Sequence, residues 1–182
     1  MYELAFAAGL GYLLGSLPFA VWFGWIQKKN VLAEGSGNPG AINAVRVLGV
    51  VPGLMVLALD VFKGFLAVFY GSIVGGTTGA LVGGVAAVFG HVCSFWLACR
   101  GGKGIATAAG AWLAIQPLVV AVAAAVWLGG WVYRRDAYQA FAIAAILLTP
   151  LAALATRSLE LTLTALATSA LLLRGHWRYL AR

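Results

Sequence analysis

Charge is scarce in this chain, and acidic charge is scarcer still. Only 9% of its 182 residues are charged, with five Asp and Glu against twelve Lys and Arg. A soluble domain carries roughly a quarter charged residues, so this composition excludes a chain whose whole surface meets water. Five scattered acids and two distant histidines offer no metal-ligand spacing, and neither a metal nor a cofactor is expected. Cysteine is limited to Cys93 and Cys99, whose spacing matches neither a zinc site nor a disulfide framework. Both read as small apolar packing residues. No polar linker divides the sequence, so a single membrane-embedded domain over residues 1–182 is expected.

What the chain has in abundance is apolar sequence: 63% of it is hydrophobic, with a mean hydropathy of +0.96. The first run, Leu4 to Ile26, is long enough to cross a hydrocarbon core of ~20 residues. It has no basic leader segment and is followed directly by Lys28 and Lys29, so it reads as a retained helix rather than a cleaved signal. Further runs extend from Val47 to Val74 and from Thr78 to Ala98. The stretch from Gly104 to Tyr133 would make a helix of about 45 Å at 1.5 Å per residue. Two short passes turning at Gln116-Pro117 fit better, because proline interrupts a helix. Gln139 to Ala155 and Leu159 to Leu173 complete a count of about seven short transmembrane helices in an all-α, polytopic integral membrane protein.

Cation placement orients these spans. With the N-terminus outside and the C-terminus cytoplasmic, one face collects Lys28, Lys29, Arg46, Arg100, Lys103, Arg134, Arg135, Arg174, Arg178 and Arg182. The outer face keeps only Arg157, and Lys63 lies within the second span. That is the excess expected on cytoplasmic loops. It also explains the net charge of +7 without nucleic acid: the expected partner is the lipid bilayer. The sequence sets no oligomeric state.

Two polar insertions fall on the basic face. The first runs Glu34-Gly35-Ser36-Gly37-Asn38-Pro39-Gly40-Ala41-Ile42-Asn43-Ala44-Val45-Arg46. Its glycines permit tight turns and close backbone approach. Ser36, Asn38 and Asn43 add neutral polar groups, and Arg46 a planar fork suited to phosphate or carboxylate. Such a turn ahead of a helix makes an anion nest, or else a flexible loop between spans. The second insertion, Arg100-Gly101-Gly102-Lys103-Gly104, sets an ammonium among exposed amides at the start of the next span. It lacks the first glycine and the Ser/Thr of a Walker A loop. Gly35, Gly37 and Gly40 with Asp60 imitate a dinucleotide fingerprint, but that motif needs a preceding strand, and here a membrane helix and a basic turn precede it.

Three ionisable residues lie deeper. Asp60 and Lys63 share a helix face and can neutralise each other, as a structural pair or a functional one. His91 suits either a general base or a hydrogen-bonded packing residue.

Together these segments resemble the bacterial acyl-phosphate:glycerol-3-phosphate acyltransferases. The matching residues are Gly35-Ser36-Gly37-Asn38, Gly40-Ala41, Asn43 and Arg46, then Asp60 with Lys63-Gly64. Gly90-His91 and Gly101-Gly102-Lys103-Gly104 with Ala106-Thr107 follow in order, and Gly15-Ser16-Leu17-Pro18-Phe19 looks like the family's first span. The resemblance covers roughly residues 9 to 115. It implies a seven-helix fold in the bacterial cytoplasmic (inner) membrane, with the active site facing the cytoplasm. The implied reaction moves a fatty acyl group from acyl phosphate to the 1-hydroxyl of glycerol 3-phosphate, giving lysophosphatidic acid for phospholipid synthesis. Ser36, Arg46, Lys103 and His91 take the catalytic roles in this reading. Gly35, Gly37, Asn38, Gly40, Asn43, Gly101, Gly102 and Gly104 shape and bind the phosphates. Either a substrate phosphate or His91 takes the hydroxyl proton.

The C-terminal third departs from the family pattern. The stretch Arg134-Arg135-Asp136-Ala137-Tyr138-Gln139-Ala140-Phe141-Ala142 has no serine where relatives carry one. The tail, from Arg174-Gly175-His176-Trp177 to Arg182, has His176 near an expected asparagine and no acid. The alternatives are a catalytically impaired paralogue that binds lipid or acyl phosphate without turnover, and a small-anion transporter. The latter would be expected to carry an inverted repeat, which is not seen.

Overall fold

A computed structural model describes residues 1–180, with side chains left out at 137, 138 and 178–180. Arg182 and the Arg178 side chain, counted above among the basic-face cations, lie outside what is described. Every regular element among the described residues is helical: α1 (Tyr2–Ser16), α2 (Phe19–Ile26), α3 (Ala41–Leu48), α4 (Val50–Val92), α5 (Ile105–Ile115), α6 (Pro117–Arg134), α7 (Ala137–Thr156) and α8 (Leu159–Leu180), with a 3-10 turn at Phe95–Leu97. Four stretches are long and apolar enough to cross a membrane: Tyr2–Ile26, Val50–Leu97, Pro117–Arg134 and Gln139–Thr156. The shorter Ile105–Ile115 is also apolar. Leu54, Ile73, Leu128 and Leu154 stand exposed on these helices, as side chains facing lipid should.

The interruptions follow from proline and glycine. Pro18 ends α1 and starts α2, because it cannot donate to the helical ladder. Pro117 is the first residue of α6, so the expected break at Gln116-Pro117 is present. The two runs expected on either side of residues 75–77 form one long element, α4, bent at Gly75 and at Gly76, whose φ is 60°.

Three expectations need correction. Residues 41–46, read as loop, belong to helix α3, and the following span starts at Val50 rather than Val47 because Gly49, with φ 102°, separates the two helices. The third run ends its helix at Val92, before Ala98. Cys93 and Cys99 are joined in a disulfide instead of packing as separate thiols. The 3-10 turn between them and the positive φ of Ala98 and Cys99 fold the chain back, bringing the two Cα atoms within 3.8 Å. Nothing in the residue spacing shows that reversal.

Helix contacts are made through glycine, as is usual where lipid supplies no hydrophobic drive between helices. Gly11 and Gly15 of α1 lie on the backbone of Gly83 and Ala87 in the second limb of α4. Gly64 in the first limb meets Thr107 of α5, and Gly110 of α5 meets Val61. Trp112 Nε1 donates to Thr168 Oγ1 at 3.3 Å, tying α5 to α8. These close approaches set both limbs of α4, α1 and α5 around one polar cluster.

Candidate active site

The cluster begins at the Pro18 break, which leaves the Leu17 carbonyl without a helical partner. Lys63 Nζ donates to that carbonyl at 3.0 Å and pairs with Asp60 Oδ1 at 2.7 Å. Both charged side chains are buried. The pair inferred from the sequence therefore forms, and its ammonium also satisfies the carbonyl left over at the Pro18 break. Asp60 Oδ1 lies 3.5 Å from His91 Nδ1, and the same ring nitrogen is 3.1 Å from Thr107 Oγ1. A second set of bonds seals the neighbouring side: Ser94 Oγ donates to Ser16 O at 2.6 Å, and Tyr12 OH donates to Cys93 O at 3.2 Å.

Above this cluster sits the second glycine loop. Gly101 N donates to Val92 O at 3.2 Å and Gly102 N to His91 O at 2.9 Å. These amides, expected among the exposed ones, are thus used on the last turn of α4. A Cβ on Gly102 would strike His91 Nε2 and come within 3.2 Å of Asn38 Oδ1. Gly102 is therefore where the first loop, the second loop and His91 converge. Gly104, at φ 84°, turns the chain into α5, whose leading N–H groups have no intrahelical partner.

The first loop is braced from within. Asn43 is buried, accepts from Ser36 N at 2.7 Å and donates to Val31 O at 2.8 Å and Glu34 O at 3.2 Å. Gly35, with φ 61°, lies so close to the Asn43 amide that a Cβ would strike it. Asn43 thus holds the loop's shape, while Ser36 stays half-buried at its edge. Asn38 Oδ1 is buried with no hydrogen-bond partner among the described residues. Gly37 turns the loop at φ 68°, and Gly40 precedes α3, whose last turn carries the exposed Arg46.

Arg46, in the last turn of α3, and Lys103, in the second loop, come from different segments yet feel each other. Partial burial, then the Arg46 guanidinium, push the Lys103 ammonium down from 10.5 to about 8. Two cations held together this way favour an anion between them. The C-terminal helix closes the far side: a Cβ on Gly175 would lie 2.9 Å from Lys103 O, and His176 is buried with its ring 4.9 Å from that of Phe141. The tail that departs in sequence still supplies this wall.

Sequence reasoning gave no role to Ser16, Leu17, Ser94, Thr107, Gly175 or His176. Ser16, Leu17 and Thr107 stand inside the recognised segments, so their positions were visible. The carbonyls and amides they serve appear only in three dimensions.

The molecule is therefore an all-helical membrane protein in which two glycine-shaped loops, with Arg46 and Lys103, gather at one polar cluster. The family model for glycerol-3-phosphate acyltransferase matches residues 5–182. A glycerol-3-phosphate acyltransferase of Pseudomonas paraeruginosa is 43% identical over 146 residues, 79% of this chain and 77% of its own. One from Synechococcus sp. is 36% identical over 94% of this chain and 86% of its own. One from Moorella thermoacetica is 40% identical over 69% of this chain and 66% of its own, just under two thirds of that relative. Among solved structures, the glycerol 3-phosphate form of PlsY (YgiH), an integral membrane glycerol 3-phosphate acyltransferase, superposes with a TM-score of 0.89 at 30% identity, covering 98% of this chain and 90% of that one. Its lysophosphatidic acid form gives a TM-score of 0.87 at the same identity and coverage. The chain belongs to the glycerol-3-phosphate acyltransferase family, the enzymes that place an acyl group on glycerol 3-phosphate.

Proposed function

We propose that the acyl donor is an acyl phosphate and that transfer to the 1-hydroxyl of glycerol 3-phosphate yields lysophosphatidic acid. The observation that carries this reading is the pairing of Arg46 with Lys103, two cations whose mutual repulsion is relieved by phosphate. The leading amides of α5 add positive potential at the same place. The hydroxyl oxygen attacks the carbonyl carbon of the mixed anhydride, the carbonyl–phosphate bond breaks, and inorganic phosphate leaves. Lys103, Arg46 and Ser36 steady the phosphates, while the buried acceptor atom Asn38 Oδ1 is placed to receive a glycerol hydroxyl hydrogen. Asn43 and the five other site glycines act by shaping the two loops around Gly102. His91 is committed to Thr107, Asp60 and Gly102, so it positions the second loop, and a substrate phosphate takes the proton. Because acyl phosphate already carries a good leaving group, positioning supplies much of the rate.

We assign the chain, as one membrane-embedded domain, seven passes in the bacterial inner membrane: α1 with α2, the two limbs of α4, and α5 to α8. In that arrangement the N-terminus lies outside, α3 rests at the cytoplasmic surface, and both basic loops face the cytoplasm.

The deciding assay gives purified protein palmitoyl phosphate and labelled glycerol 3-phosphate. Wild type is expected to form lysophosphatidate, and Lys103→Ala to lose at least ~100-fold in rate. Equal product from both proteins would sink the reading. A Lys103→Cys variant should react with impermeant thiol reagents only from the cytoplasmic side.

A further inference from the structure

Between the end of α4 and the second glycine loop the chain doubles back over residues 93–99, and the reversal is closed covalently. Cys93 follows the last residue of α4, Cys99 stands two positions before Gly101, and a disulfide joins them. Two backbone rungs of the same reversal lie next to that bond: Gly101 N to Val92 O at 3.2 Å and Gly102 N to His91 O at 2.9 Å. Inside the turn, Cys99 N donates to Ser94 O and Arg100 N to Leu97 O, each at 2.9 Å. The disulfide is therefore a covalent tie beside the two hydrogen bonds that hold the Lys103 loop on α4.

The closed turn also fixes the second loop against the first. Ser94 Oγ donates to Ser16 O at 2.6 Å, and Phe95 N to Ser16 Oγ at 3.4 Å. Leu97 packs against the apolar cluster that contains Ala44 and Leu48 of α3, the helix whose last turn carries Arg46. One short turn thus references Lys103 to Arg46, and a bond that two electrons can open holds its ends. The two sulfurs differ in access, since Cys99 is exposed and Cys93 half-buried. Phe95 and Trp96 of the same turn are exposed and meet edge to face. Aromatic side chains of this kind gather at the membrane–water boundary, within reach of a water-soluble thiol.

We propose that Cys93 and Cys99 form a thiol–disulfide exchange site through which a dithiol reductant loosens the Lys103 loop and weakens capture of the phosphate substrate. The proposal rests on the reading above that Arg46 and Lys103 hold phosphate at the cytoplasmic face, where disulfides occur mainly as exchangeable, redox-sensing pairs. A thiolate of the reductant attacks the exposed Cys99 Sγ, the S–S bond breaks, and Cys93 leaves as a thiolate that takes a proton. The reductant's second thiol then displaces Cys99 from the mixed disulfide. Two electrons and two protons have passed to the protein, and the reductant is left as its own disulfide. The opened turn loses the covalent limit on its spread, so the ordered loop becomes one state among several.

The test uses the full chain in detergent, oxidised or treated with dithiothreitol. Cys93 and Cys99 are its only cysteines, so maleimide labelling read by mass counts the opened bond directly. Reduction should raise the dissociation constant for glycerol 3-phosphate by ~10-fold or more, because opening a short closed loop frees conformations and lowers the binding-competent fraction in proportion. Exchanging the reductant for glutathione disulfide should restore tight binding. The double variant Cys93→Ala, Cys99→Ala should bind as reduced wild type does and ignore both treatments. A disulfide that dithiothreitol leaves closed, reduction without weaker binding, weakening that reoxidation does not reverse, or the same response in the double variant would overturn the proposal. Oxidised Lys103→Ala checks the phosphate reading separately. If it binds weakly while reduction of wild type changes nothing, the exchange site falls and the phosphate reading stands. If reduction weakens binding and Lys103→Ala does not, the exchange site stands and the phosphate reading at Lys103 falls.

Discussion

Lys63 and Asp60 meet at 2.7 Å with both side chains 3% exposed, and the same ammonium reaches the Leu17 carbonyl. Lys63→Met would leave that carbonyl buried without a partner and the Asp60 carboxylate with only the His91 ring nitrogen, 3.5 Å away. A loss of about 3–5 kcal/mol in stability is expected, read as a lowered Tm in detergent. Adding Asp60→Asn should recover part of it, since the uncompensated charge is then gone. A double variant no more stable than Lys63→Met would mean the carbonyl contact, not the ion pair, dominates.

Gly102 has no room for a side chain between His91 and Asn38. Gly102→Ala should lower kcat/KM for glycerol 3-phosphate by about 100-fold, because a displacement near 1 Å at a positioning site has that effect. Size-exclusion and Tm measurements report separately how far the same substitution weakens the loop's hold on α4.

The Lys103 ammonium titrates at about 8 rather than 10.5. Its folded value is depressed, so between those limits the unfolded chain binds more protons and stability rises with pH. Donor capture moves the other way: kcat/KM for the acyl phosphate should fall as pH rises through about 8, when the ammonium is lost. A bound phosphate favours the charged form, so the falling limb of kcat should lie at higher pH. Lys103→Arg should retain donor capture above that range. Pre-steady-state pH profiles of both enzymes are the measurement.

Asn43 satisfies three backbone groups of the first loop. Asn43→Ala should cost about 1–3 kcal/mol through those unpaired groups, and limited proteolysis should cut the chain faster within residues 31–40. Its KM for donor should rise more than its kcat falls, as expected if the side chain shapes a binding loop.

Much of this arrangement was legible in the sequence because its causes are local. Pro117 and the gap at residues 75–77 interrupt their runs locally, whereas the break at Pro18 was hidden inside the continuous apolar run from Leu4 to Ile26. The identities of Arg46, Lys103 and the loop glycines were equally visible. What stayed hidden depends on contacts between distant segments. The sequence could not show that Asn43 turns inward, that Gly101 and Gly102 use their amides on α4, or that Lys63 serves Leu17. The helical start of the first loop's second half was also missed, because Gly40-Ala41-Ile42-Asn43 reads as turn when its amphipathic partner surface is unknown. The disulfide escaped for the same reason, since six residues of chain give no sign of a reversal.

The Gly101 and Gly102 amides donate to Val92 and His91, which makes the second glycine loop the end-piece of the longest helix among the described residues. Unravelling of either therefore releases the other. Holding this loop in shape and holding the bundle together become one selectable trait, and variants chosen solely for survival in harsh detergent should come out enriched for an intact loop. Such an enzyme has little scope to trade rigidity for speed, and a compound that prises this loop from the helix would disarm and destabilise it in a single act.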